Sequence, residues 1–445
     1  MKKLIIGLLV IAAAVFVGAP YVTGVIAQNK TQELVDHINA TSSHLGTIEM
    51  TDYQRSFMSS SSAYKYIFSK PYQELTKFEN IEYSCDLDHG ITGVDYSCLL
   101  ENKGEYKSFL DKHLAGKDPF SMTGHVSAFG KIDQTLSVEP ITVESAEETK
   151  FNVVEKIHFT TIYDQKSSTY DFDGAIPKLA IENNKASNQG SFDVDAVVLN
   201  GKVKEAKEGL YVGEVNISGK QLKALDPKGE LTMDDFAINT STLESGSTVD
   251  SSINLNAKTI SFPNQTGGID SFSDVALDVG LYGMDTEALI EYIKANEEMQ
   301  KKILASAENE QDVNQAGLSS MAELVPALEK MLKKDLGLNL KSSLKVDDQK
   351  SDIALDLKLV NDMSFTQAMG FLFSPDETLK NFKGTLNVDI KKGLLEKYPP
   401  LAFTINSVPF FVQSADGVTL DVSIDEGMKI NGEATTVAEL QSLFR

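Results

Sequence analysis

Apolar and polar side chains alternate over long runs of this chain. The pattern is clear in Leu210-Tyr211-Val212-Gly213-Glu214-Val215-Asn216-Ile217 and in Ser252-Ile253-Asn254-Leu255-Asn256-Ala257. It recurs in Phe192 to Val197 and in Asp274 to Val279. A period of two predicts strands with one apolar face. Asn200-Gly201, Glu208-Gly209, Pro227-Lys228-Gly229 and Gly267-Gly268 supply turn signals between them. The outward positions carry Asp, Asn, Ser and Thr, which suits antiparallel sheet with one wet face better than a parallel sheet buried on both sides.

The period changes at about Asp285. From there to Leu336 Ala, Glu, Lys, Leu and Met dominate, and Leu289, Ile290, Ile293, Ile303 and Leu304 recur at helical spacing. Asp285 or Thr286 is expected to cap this helix. A second helix is expected over Leu318 to Lys334, kinked or broken at Pro326. Alternation resumes in Ile353 to Leu359 and Leu386 to Ile390, with short helical pieces around Phe365 to Phe373 and before Phe382. A hairpin follows, Val418 to Ile424, turn Asp425-Glu426-Gly427, then Met428 to Gly432, and a small helix over Val437 to Phe444. The expected class is α+β, mainly antiparallel β with one N-terminal transmembrane helix and an inserted helical pair, the sheet open to curling into a groove.

That transmembrane helix comes from the start of the chain. Lys2 and Lys3 precede Leu4 to Gln28, a stretch of 25 residues without a charge. About 20 such residues span a bilayer. The lysines place the N-terminus in the cytoplasm and the rest outside. The competing reading is a cleaved signal peptide, since Val25-Ile26-Ala27 roughly fits the cleavage rule, although the apolar region is longer than usual. The expected organisation is therefore an anchor over 1–28, a periplasmic helical extension over 29–47 and a β-rich region over 48–284. The helical pair occupies 285–336 and a second β-rich region 337–445. The expected location is a bacterial inner membrane, crossed once, with the bulk of the chain in the periplasm.

With 41 basic against 64 acidic residues in 445, the net charge of −23 argues against nucleic acid or an anionic bilayer surface as the main partner. Two cysteines and six histidines make neither a disulfide scaffold nor a structural zinc site. Cys85 and Cys98 are expected to pair in an oxidising compartment. Closing that loop restricts the unfolded chain by about 3 kcal/mol. Inside it, His89 follows Asp86-Leu87-Asp88 and precedes Gly90, which reads as a turn at the tip of two strands rather than as a base or metal ligand. His113 and His125 share no register with it. Ser62-Ala63-Tyr64-Lys65 and Ser342-Ser343-Leu344-Lys345 have the Ser-x-x-Lys spacing of penicilloyl-type enzymes without the companion elements. Met284, Met299, Met321 and Met331 read as core. No catalytic set, metal site or cofactor site is expected.

Tyr21-Val22-Thr23-Gly24 closes the anchor, and Tyr53-Gln54-Arg55-Ser56-Phe57-Met58-Ser59-Ser60 follows an amphipathic stretch. This Tyr-x-Arg-Ser/Gly-x-x-Ser-Ser pattern, carried by Tyr53, Arg55, Ser56 and Ser59, resembles the YdgA-like family of bacterial envelope proteins. His89-Gly90 falls where that family has His-Gly-Pro, with Ile91 in place of proline. Asn431-Gly432 followed by Val437-Ala438-Glu439-Leu440 resembles its C-terminus. The resemblance implies an inner-membrane-anchored periplasmic protein and transfers no catalytic residue. The expected function is a non-enzymatic binding role in envelope maintenance, with lipid handling as its concrete form. The alternative is an assembly or homodimeric scaffold module, using the helical segment to dock a second copy or another envelope protein.

Overall fold

In the computed structural model the described residues are 46–436 except 71–72, 74–77, 145–148, 184–189, 208, 227–228, 263–270, 309–323, 370–378 and 426, with 439 and part of 25–39. The expected anchor falls outside them except at Val25 and Gln28. Most of the expected C-terminal helix and the first part of the expected second helix also fall outside. Among the described residues no helix is long and apolar enough to cross a membrane.

The chain forms two compact units, one of 1–179 with 300–313 and one of 180–299 with 314–445. Unit 1 is an antiparallel meander. Its strands are β1 Gly46–Arg55, β2 Ser59–Phe68, β3 Asn80–His89, β4 Gly93–Leu100, β5 Phe120–Ser127 and β6 Lys131–Val138. After the hairpin β7 Ile141–Glu144 and β8 Thr149–Val153, β9 Ile157–Asp164 pairs back onto β6, and β10 Thr169–Asn183 pairs with β9. A helix, α1 Gly104–His113, joins β4 to β5. Alternation had pointed only to strands in this region. The helix is short and mostly polar, and it is held by Leu110, which is fully buried, and by the Tyr106 hydroxyl donating to Asp118 at 2.7 Å.

Unit 2 continues the same pattern with longer strands: β11 Gly190–Lys207, β12 Leu210–Asp226, β13 Gly229–Ser245, β14 Thr248–Ser261 and β15 Ser271–Asp285. Helix α2 Thr286–Glu308 follows, then helix α3 at 324–331. Asp285 caps α2, its carboxylate accepting the Ala288 N–H at 2.9 Å. Then come β16 Gly337–Val346, β17 Gln349–Leu359, α4 Phe365–Met369, β18 Phe382–Lys391, α5 Lys392–Lys397 and α6 Pro399–Ser407. The unit closes with β19 Val412–Gln413, β20 Gly417–Ile424, β21 Met428–Ile430 and β22 Glu433–Thr435. β20 pairs with β18, so α5 and α6 form an excursion between two neighbouring strands.

Two devices shape these sheets. The first is a transverse line of interrupted pairing. Ala196 of β11, Asp235 of β13 and Asp274 of β15 take left-handed conformations, with φ of 52°, 43° and 47°. They lie at one level, where direct pairing is skipped between the flanking rows. Such bulges bend a sheet and increase its twist. Lysines bridge acidic neighbours at this level, Lys220 with Asp195 at 3.4 Å, Lys258 with Asp235 at 3.4 Å and Lys345 with Asp274 at 2.6 Å. The second device pairs glycine with an aromatic ring across strands. Gly219 stands opposite Phe236, and a Cβ there would come within 2.5 Å of the ring. Gly174 opposite Phe159 and Gly337 opposite Tyr282 repeat the arrangement.

Candidate functional site: an apolar sheet face

Period-two alternation decides which side chains share a face, and the register decides which of them touch. In unit 2 the register lines apolar positions up in transverse rows. One row runs Leu199, Ile217, Ile238, Leu255, Leu277, Ser342, Ile353, Val388, Leu420, each directly opposite the next. Only Ser342 interrupts its hydrocarbon character. The next row contains Val279, Leu340, Leu355, Leu386 and Val422, apolar across five neighbouring strands. The opposite face is polar, as in the row Asp278, Lys341, Ala354, Asn387, Asp421. With strands about 4.8 Å apart, the nine-strand row is about 38 Å long.

This apolar face is covered unevenly. At one end α5 and α6 lie over it, and Val388, Ile390, Leu394, Ile405 and Val418 form a buried cluster. Between them and the sheet lies a cavity of about 420 Å³ lined by Phe262, Phe272, Leu344, Ile353, Leu394 and Leu401, with the hydroxyls of Ser342, Ser351 and Tyr398 at its wall. A pocket of that volume and lining is of the size that holds small apolar ligands. Elsewhere α2 packs Leu289, Ile290 and Ile293 against Leu210, Val249 and Met284. Between these covers Ile253, Leu277, Leu281 and Ile353 are exposed. Exposed large apolar side chains in contiguous rows are the informative departure from ordinary surfaces.

The unit 1 sheet has the same two-faced character, and its apolar face is closed over at Val35, Tyr64, Cys85, Leu87, Val94 and Cys98. A smaller cavity of about 120 Å³ remains there. Cys85 and Cys98 stand directly opposite each other on β3 and β4 and form a disulfide within this cluster. Tyr64 stacks on Tyr83 with ring centroids 4.9 Å apart. Burial raises the Tyr64 and Tyr83 phenols and pushes Tyr96 up to about 12, so the cavity is lined by neutral hydroxyls.

The residues singled out in the sequence divide between the units. Tyr53, Arg55, Ser56, Ser59, His89 and Gly90 gather at one end of unit 1. The Tyr53 hydroxyl donates to Ser60 Oγ at 3.2 Å, and Ser60 Oγ shares a 2.8 Å hydrogen bond with His89 Nε2. Ser60 is the last serine of the Tyr-x-Arg-Ser/Gly-x-x-Ser-Ser pattern, and only the register of β2 with β3 brings it to His89. Both are buried. His89 Nδ1 makes no hydrogen bond of normal geometry, although the Phe57 backbone lies close enough to act on it. Burial, the largest influence, holds the imidazole below its ordinary pKa. Asp86 and Asp88 point to the other face of β3, because residues one apart in a strand do so. The His–carboxylate cluster visible in the linear sequence therefore does not form. Asn431 and Gly432 belong to unit 2. They make a tight turn with φ of 51° and 85°, the Asn431 side chain accepting from Asp421 N at 3.0 Å and donating to Phe410 O at 2.6 Å.

Both Ser-x-x-Lys tetrads lie in strands, β2 and β16, where positions three apart face opposite sides. Ser342 lines the apolar cavity while Lys345 pairs with Asp274. His125 hydrogen-bonds Asp95 at 2.8 Å away from His89. Met284 is buried in the α2 cluster, Met331 packs against it, and Met321 lies outside the described residues. Among the described residues no group of His, Cys, Asp and Glu is arranged to hold a metal ion.

The family model for a bacterial protein of unknown function, DUF945, matches residues 1–403, and the chain belongs to that family. No curated protein and no solved structure matches it.

Proposed function

We propose that this member of a bacterial family of unknown function is a non-enzymatic, single-pass inner-membrane protein whose periplasmic sheet binds lipid acyl chains in envelope maintenance. The observation that carries this reading is the nine-strand apolar row, left open at Leu277 and Ile353 and beside it at Ile253, and leading to the cavity under α5 and α6. One leaflet's acyl chain spans about 15 Å, half of a hydrocarbon core of roughly 30 Å. A track of about 38 Å is long enough for such a chain to lie wholly on it. The charge-free stretch Leu4 to Gln28 and the residues that resemble the YdgA-like family support the location. The assembly alternative draws less support, since Leu289, Ile290 and Ile293 of α2 are already packed against the sheet.

The test is lipid extraction and mass spectrometry of the full chain purified from membranes in mild detergent. Phospholipid or fatty acid retained in stoichiometric amount, and displaced by a photoreactive fatty acid that crosslinks to β14–β17, supports the reading. No copurifying lipid and no crosslinking would end it.

A further inference from the structure

The turns at one end of the unit 1 sheet break the rule that turns are polar. β1–β2, β3–β4, β5–β6 and β9–β10 all turn at that end, and backbone bonds stitch the four turns side by side. His89 N donates to Met58 O at 2.8 Å, Ala128 N to Thr92 O at 2.9 Å, and Gln165 N to Gly130 O at 3.0 Å. Along this row Phe57, Met58, Ile91 and Phe129 are exposed, Met58 by 59% and Phe129 by 73%. Lys166 lies 5.8 Å from the centre of the Phe129 ring.

The charge of this edge also departs from the rest. The chain carries −23 overall. The four turns with their flanking residues (55–59, 89–93, 127–131 and 164–169) hold Arg55, Lys131 and Lys166 against the single acid Asp164. The Asp164 carboxylate accepts the Lys166 N–H at 2.9 Å and so caps its own turn. Asp88, Asp95 and Asp133 begin below the edge, and Lys131 reaches Asp133 at 3.4 Å.

We propose that this edge is a membrane-docking tip that inserts Phe57, Met58, Ile91 and Phe129 among the acyl chains of a bilayer while Arg55, Lys131 and Lys166 meet lipid phosphates. Two arguments select a bilayer over a protein partner. The four turns form one row along the end of the sheet with their apolar side chains exposed, an arrangement that a deformable lipid surface accepts without a matching groove. Large apolar residues interleaved with Lys and Arg are the composition of interfacial segments. A chain this acidic is repelled by anionic headgroups everywhere except where its balance is locally reversed. The proposal stands independently of acyl binding on unit 2.

The chain has no tryptophan, so a single introduced one reports alone. Phe129→Trp and Phe57→Trp place it on the tip. Lys112→Trp places it on α1, which follows the far end of β4 and serves as the control. Each full-length variant, held in a nanodisc of unbrominated lipid, is mixed with vesicles of phosphatidylethanolamine and phosphatidylglycerol brominated in the acyl chains. The tip reporters are expected to shift to the blue and lose emission, while the α1 reporter keeps both. Adding Met58→Asp and Ile91→Asp to Phe129→Trp is expected to abolish the quenching with the far-ultraviolet spectrum unchanged. Tip reporters that keep their emission, or that are quenched no more than the α1 reporter, overturn the proposal. That result would leave lipid copurification on unit 2 untouched.

Discussion

Ile253 and Val388 belong to the same apolar face of unit 2, yet replacing each with aspartate is expected to have opposite consequences. Ile253 is 50% exposed, whereas Val388 is buried beneath α5 and α6. Fully burying such a side chain is worth about 1.5–3 kcal/mol, so the half-burial of Ile253 contributes about 1 kcal/mol. Ile253→Asp therefore costs about 1–2 kcal/mol once the poor strand propensity of Asp is added. Val388→Asp places an unpaired carboxylate in a closed cluster and costs at least about 4 kcal/mol. Lipid contact ranks them differently. Against hydrocarbon, aspartate is worse than isoleucine by about 3–4 kcal/mol, a loss of two to three decades in affinity where an acyl chain lies over Ile253. The assay is the urea midpoint of each full-length variant, read beside phospholipid retained per mole of purified protein. Ile253→Asp should stay folded and lose its lipid. Equal destabilisation by the two variants would show that the face is covered at Ile253. A folded Ile253→Asp with its full lipid load would refute the track itself.

Three further outcomes follow from particular contacts. Replacing Cys85 and Cys98 together with serine should lower stability by about 3 kcal/mol, the chain-entropy value for a loop of this size, and reductant should reproduce the change in the natural chain but not in the variant. Gly219→Ala would force a methyl against the Phe236 ring and should cost about 1–3 kcal/mol, and Phe236→Leu in the same chain should recover much of it, as a double-mutant cycle will report. The folded-state pKa of His89 is depressed, so its contribution to stability is fully present above the unfolded value of about 6.5 and is lost as pH falls through the folded pKa. His89→Gln should therefore flatten the stability profile below about pH 6.5, and an unchanged acid limb would show that other groups set it.

Much of this architecture is legible in the sequence because it is local. A strand turns successive side chains to opposite faces whatever it pairs with, so Leu277, Val279 and Leu281 can be assigned to one face from spacing alone. The same holds for the Asp285 cap and the cysteine pair, each set by residues near one another in the chain. By contrast, the strand expected over Met428 to Gly432 stops at Ile430 because Asn431 and Gly432 turn back, held by Asp421 and Phe410. Helix α1 escaped because a short polar helix has little periodic signal and is held by the distant Asp118 carboxylate and the burial of Leu110. The segment from Asp86 to Gly90 reads as a turn at the tip of two strands, and β3 does end at His89 with β4 starting at Gly93. Only the tertiary structure, however, brings Ser60, 29 positions from His89, to supply its hydrogen bond. What tertiary structure alone decided is which apolar residues stand beside which. The row from Leu199 to Leu420 and the row of turns at Phe57, Ile91 and Phe129 depend on the hydrogen-bond register of every strand pair in succession, so that residues up to 221 positions apart share one line. A shift of one residue in any pairing would break either row while leaving every local pattern intact.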